Sequence, residues 1–172
     1  RGMGALEFRP TIRDGATVGR AIEVSALVDL ANRVLNDRVA LEGKLAGGND
    51  KEAIEDILRV GTSAGGARAK AVLAWNEATG EFRSGEARVK EGFSDWIMKF
   101  DGVSNNKDKE LADPKGYGRI EYAYHLMARE AGIIMNDCRL HVEDGRAHFL
   151  TKRFDRFDDG GKLHMQSLGA MM

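Results

Sequence analysis

The spacing of apolar residues changes at Gly61 from a helical to a strand pattern, and that change most constrains the fold class. Between Glu23 and Leu45, Val24, Leu27, Val28, Ala31, Val34, Leu35 and Leu41 recur mostly at intervals of three and four residues, which predicts an amphipathic helix. Gly47-Gly48-Asn49-Asp50 stops it, and Asn49 or Asp50 can cap a second helix over Glu52 to Val60, giving a small helical hairpin. Beyond Gly61, short β-rich runs over Ala69–Trp75, Glu81–Arg83 and Trp96–Phe100 predict a meander of antiparallel strands. Asp101 to Gly118 is polar, with Asn105-Asn106 and Pro114, and reads as a solvated loop. A helical period returns with Ile120, Ala123, Tyr124, Met127, Ala128 and Ala131, and Gly132 can terminate that helix in the left-handed region. Cys138, Leu140 and Val142 then alternate with polar residues, Asp144-Gly145 makes a hairpin turn, and Ala147–Thr151 returns as the partner strand. No βαβ unit repeats, so the expected class is α+β: an antiparallel sheet with flanking helices, preceded by a small helical hairpin.

Composition narrows the partners. At 172 residues with 42% hydrophobic content the chain suits one globular domain. A net charge of -1, from 26 basic and 27 acidic side chains, provides no overall field toward nucleic acid or a membrane surface, and no direct partner of either kind is expected. Cys138 is the single cysteine, which excludes an intramolecular disulfide and fits a reducing, cytoplasmic setting. The apolar runs fall far short of the roughly 20 residues that cross a bilayer, and no signal peptide is recognisable. The opening Arg1-Gly2 and the closing Leu168-Gly169-Ala170-Met171-Met172, which reads like an unfinished helix, suggest ends cut from something longer.

Four segments carry possible chemistry. Small residues in Gly61-Thr62-Ser63-Ala64-Gly65-Gly66-Ala67-Arg68-Ala69-Lys70 let successive backbone N–H groups cradle phosphate oxygens, although the same residues also make an ordinary flexible turn. The run fits neither a Walker A motif nor the opening of a Rossmann unit. Lys99 interrupts the apolar strand Trp96-Ile97-Met98-Lys99-Phe100; such a cation either meets an anion, as a kinase strand lysine meets phosphates and a helix glutamate, or lies on the solvent face of an edge strand. Glu121, near the start of the second long helix, can pair with Lys99 or simply complement the helix dipole. Tyr124 reads as core and His125 as surface. Thr151-Lys152-Arg153-Phe154-Asp155-Arg156 can present backbone to an adenine ring, or form an edge strand made safe by charge. Arg68 and Lys70 suit either phosphate contact or a strand-edge surface. The histidines show no metal-ligand spacing, and no metal site is assigned.

The order of these segments resembles the HipA family of bacterial toxin kinases along nearly the whole chain. The likeness rests on Arg1-Gly2-Met3-Gly4-Ala5-Leu6, Ser63-Ala64-Gly65-Gly66-Ala67-Arg68-Ala69-Lys70, Ile97-Met98-Lys99-Phe100, Ala128-Arg129-Glu130-Ala131-Gly132-Ile133 and Arg153-Phe154-Asp155-Arg156. It implies one truncated domain over 1–172, with an N-terminal strand and helical hairpin at 1–60 and a kinase-like N-lobe at 61–172. It implies an ATP site in which Ser63, Ala64, Gly65, Gly66 and Ala67 cover the phosphates, Lys99 contacts the α- and β-phosphates, and the backbone at Lys152 and Phe154 holds the adenine. Ser63 matches the family's inhibitory autophosphorylation position, where added negative charge would expel the loop from an anionic site. The family phosphorylates serine on protein substrates such as a glutamyl-tRNA synthetase, causes growth arrest and persistence, and is neutralised by a DNA-binding antitoxin.

One part of the family pattern does not occur. The His-x-x-Asn-x-Asp-x-His-x-Lys-Asn-like stretch with the catalytic aspartate, and the later aspartate that binds Mg2+, have no counterpart in these residues. Phosphoryl transfer needs both, so these residues alone are expected to be inactive. The alternative from another class is a non-catalytic module that keeps the sheet as a scaffold for an antitoxin or another protein.

Overall fold

In the computed structural model, residues 4–5, 21–36, 68–84, 91–103, 115–157 and 159–172 are described. The elements are α1 (Val24–Asn36), β1 (Lys70–Trp75), β2 (Phe82–Ser84), β3 (Ser94–Lys99), α2 (Tyr117–Glu130), β4 (Cys138–Glu143) and β5 (Arg146–Lys152), with a 3₁₀ turn at Leu168–Ala170. The helix expected over Glu52 to Val60 lies outside the described residues.

The five strands form one sheet in the order β2-β1-β3-β5-β4, every neighbouring pair antiparallel. The expected α+β class and the β4–β5 hairpin are observed, but the first three strands do not form the expected meander: β3 pairs with β1 and not with β2, so β1 lies between its two successors. Asp144 at φ 49° and Gly145 at φ 72° supply the two left-handed positions that a two-residue hairpin loop requires, and Glu143 faces Arg146 across its base. Alternate residues of the strands point to opposite faces. On one face Leu73, Trp96, Met98 and Leu150 bury together with Phe82 and with Val24, Leu27, Val28 and Ala31 of α1. The sheet curls around this core: Phe82 of edge strand β2 meets His141 of the opposite edge strand β4 at a ring separation of 5.0 Å, and Arg139 of β4 reaches Glu77 in the β1–β2 turn at 3.2 Å.

The other face carries α2. Its helix ends as expected at Gly132, φ 79°, where Gly132 N–H donates to Arg129 and Ile133 N–H to Ala128, closing the last turn. Its start and its rotation differ from expectation. The helix begins at Tyr117, inside the stretch expected to be loop, and Asp101 from that stretch is 3% exposed. The side turned to the sheet is marked by Gly118 and His125, while Tyr124, expected in the core, is 66% exposed. The reason is close approach: a Cβ on Gly118 would stand 1.8 Å from the carbonyl oxygen of Ala147 in β5, so only a glycine-bearing face can lie on that strand. The apolar stripe of Ile120, Tyr124 and Met127 is left outward.

Candidate functional site

Lys99 ends β3, the central strand, so the edge-strand reading of this residue does not apply. Its Nζ lies 2.5 Å from Oε2 of Glu121, which α2 presents from its second turn. The other oxygen, Oε1, accepts from Nη1 of Arg68 at 3.3 Å. The guanidinium of Arg68 is also seated 3.7 Å above the ring of Tyr117, the first residue of α2. Directly opposite Lys99 on β1 is Lys70, and the ring of Phe149 on β5 lies 5.7 Å from the Lys99 ammonium. Residues opposite each other on one face of a sheet hold their side chains close, and two like charges so placed repel. Burial pushes the Lys70 amine below its ordinary range, the Lys99 charge pushes the same way, and Glu121 resists. Arg68, Lys70 and Lys99 thus gather around Glu121, an arrangement that a multiply charged anion would relieve.

The Lys99–Glu121 pair contributes little to stability by itself, because both side chains are partly exposed and such pairs are worth at most about 1 kcal/mol. Its value lies in orientation: a carboxylate fixes the direction of a flexible lysine stem. The glycine-rich residues Ser63, Ala64, Gly65, Gly66 and Ala67 lie outside the described residues. Where the chain leaves them it is stitched to the Lys99 end of β3, since Phe100 N–H donates to the carbonyl of Ala69 at 3.1 Å.

The segment after β5 lies at the opposite end of the same strands. Lys152 closes β5, which runs between β3 and β4 and is not an edge strand. Its N–H donates to Asp137 at 2.8 Å, and its carbonyl accepts from the Asn136 side chain at 3.0 Å. Arg153 N–H donates to Asp95 at 2.9 Å. Phe154 is 56% exposed, and no bond from its N–H occurs among the described residues. An open depression of about 300 Å³ lies here, lined by Met135, Asn136, Asp137, Lys152, Arg153 and Phe154.

Arg153, which lines that depression, also belongs to a buried ion cluster that was not expected from the sequence. Arg153 binds Asp155 through Nε at 2.8 Å and Nη2 at 2.6 Å, Arg156 Nη1 adds a contact at 3.1 Å, and Gly4 N–H donates at 2.7 Å. Burial alone would raise the pKa of Asp155; the bonds and charge of Arg153, with Gly4 and Arg156, outweigh it and hold the carboxyl below its ordinary value. Among the described residues no three His, Cys, Asp or Glu side chains converge on a common metal position, and no helix is long and apolar enough to cross a membrane.

An antiparallel lobe whose central-strand lysine is tied to a helix glutamate is the device kinases use to aim a lysine. The model of the HipA-like C-terminal domain matches residues 62–172, and the chain belongs to that kinase-related family. No curated protein and no solved structure matches the chain.

Proposed function

We propose that this protein is part of an ATP-dependent serine/threonine kinase of the HipA toxin type, and that the described residues belong to the part that grips the nucleotide. The carrying observation is the Lys99–Glu121 pair, with Arg68 on the second carboxylate oxygen and Lys70 across the ladder. In this reading Glu121 aims Lys99 at the α- and β-phosphates, and the amides of Ser63, Ala64, Gly65, Gly66 and Ala67 close over them. Three cations around one carboxylate suit a polyphosphate in charge. The adenine occupies the depression beside Lys152 and Phe154. Because the Lys152 backbone groups are engaged with Asp137 and Asn136, Lys152 frames the base, while the Phe154 N–H and ring make the contact. Mg2+ would supply neutralisation of the charge that develops on the transferred phosphoryl group, and none of the described residues is assigned to hold it. The protein substrate carries a serine hydroxyl, and a DNA-binding antitoxin restrains the toxin in the cytoplasm.

Titration calorimetry with ATP tests the reading. Lys99→Ala is expected to abolish measurable binding while the far-ultraviolet circular dichroism is unchanged; ATP affinity equal to that of the wild type would overturn it. A second reading, a non-catalytic module that docks an antitoxin or other protein, is favoured by the outward apolar stripe of Ile120, Tyr124 and Met127. The same titration separates the two, since a scaffold needs no nucleotide.

A further inference from the structure

We infer that Asp101 is a positioning residue whose carboxylate sets where Glu121 stands relative to Lys99. The functional consequence rests on the nucleotide reading above; the geometry does not.

Asp101 follows Lys99 by two residues and is 3% exposed. Its Oδ1 accepts from Gly116 N–H at 2.8 Å, its Oδ2 accepts from Ala147 N–H at 3.1 Å, and its own N–H donates to Nδ1 of His148 at 3.0 Å. A buried carboxylate is costly unless its oxygens are satisfied, and here both are taken by main-chain donors from two other elements. Gly116 immediately precedes α2, so the negative charge also faces the positive end of that helix. One side chain therefore joins the end of β3, the start of β5 and the start of α2. Those elements carry Lys99, Phe149 and Glu121. Glu121 is five residues beyond Gly116, a rise of about 7.5 Å along a stiff helix, so a shift at the anchored end reaches the glutamate undiminished. Ala147 supplies the opposing stop, because its carbonyl bears on Gly118 while its N–H is held by Asp101.

A simple stabilising role would loosen the whole lobe; a positioning role loosens α2 alone and acts through Glu121. The test is Asp101→Asn in the whole protein, which keeps the shape but opposes an amide N–H2 to a main-chain donor. Hydrogen exchange is expected to quicken at least tenfold over the first two turns of α2, with the β1 and β3 amides unchanged. ATP affinity should fall about tenfold, and adding Glu121→Gln should cost less than a further twofold, because both changes disable one unit. Unchanged α2 exchange, equal quickening throughout the sheet, or fully multiplicative losses in the double variant would each overturn the inference. Should Asp101→Asn not fold, Asp101→Glu, which keeps the charge but misplaces it by one methylene, carries the same exchange measurement: quickening confined to α2 supports the role, and unchanged or uniform exchange overturns it. If the wild-type protein binds no ATP the nucleotide reading fails, and the exchange data alone then decide the role of Asp101.

Discussion

His148 is 1% exposed, set edge-on against Phe100 at 5.8 Å and stacked on His141 at 6.3 Å. Its Nδ1 accepts the Asp101 N–H, so the ring is neutral with its proton on Nε2. Burial first, and the charge of His141 second, push its pKa down from 6.5 to about 4, against the opposing pull of Asp101 and Glu143. Between those values the unfolded chain binds the proton and the folded chain does not, so stability is full above pH 6.5 and drains as pH falls toward 4. The loss amounts to roughly 3 kcal/mol at most, and His148→Gln should remove most of that slope from a plot of melting temperature against pH. Asp155 acts in a separate window. Its carboxyl is held below 3.8, so its contribution is present above that pH and is lost only as the pH drops through the lowered value. The melting profile should therefore show two acid limbs, and Asp155→Asn should abolish only the lower one.

At the scale of elements, α2 rests on Gly118. Alanine there gains about 1 kcal/mol in helix propensity but drives a methyl into the Ala147 carbonyl, and overpacking of this kind costs about 1–3 kcal/mol or more. Gly118→Ala is accordingly expected to lower the urea midpoint despite the better helix former, and to move α2 off β5. The strands were legible from sequence because alternation and an Asp-Gly turn are local: the expected Ala69–Trp75 and Glu81–Arg83 runs fall within one residue of β1 and β2, and the hairpin lies where Asp144-Gly145 put it. The existence of α2 and its glycine terminator were legible for the same reason. Its rotation was not. Apolar spacing says which residues share a side, but not that the side bearing Gly118, Glu121 and His125 is the one able to approach a backbone. The helix therefore buries His125 where Tyr124 was expected. Lys99 stood out as a cation in an apolar strand, yet its pairing with Glu121 was only one of two options, since a helix 22 residues away in sequence is brought beside it by tertiary contact alone. Asp101 gave no signal beyond a polar neighbourhood.

For the molecule as a whole, the Asp155 cluster ties residue 4 to residue 155, so the chain from Gly4 onward is closed into one loop by a contact spanning 151 positions. Asp155→Ala would leave Arg153 buried without its anion, and losses of about 3–5 kcal/mol follow when one partner of such a pair is removed. Thermal unfolding of that variant should shift as a single transition, since the same residue anchors both ends. The register of the central pair of strands fixes a length along them. β3 and β5 run side by side with Lys99 opposite Phe149 and Trp96 opposite Lys152, so the two ends of the ladder are three steps apart, about 10 Å at the usual rise. That ladder works as a fixed gauge. In the proposed nucleotide site, a ligand that touches both the cationic end and the Phe154 end has to span at least that interval. If the lobe holds a nucleotide as proposed, ligand length therefore counts beside charge, since a small free anion would reach one end alone.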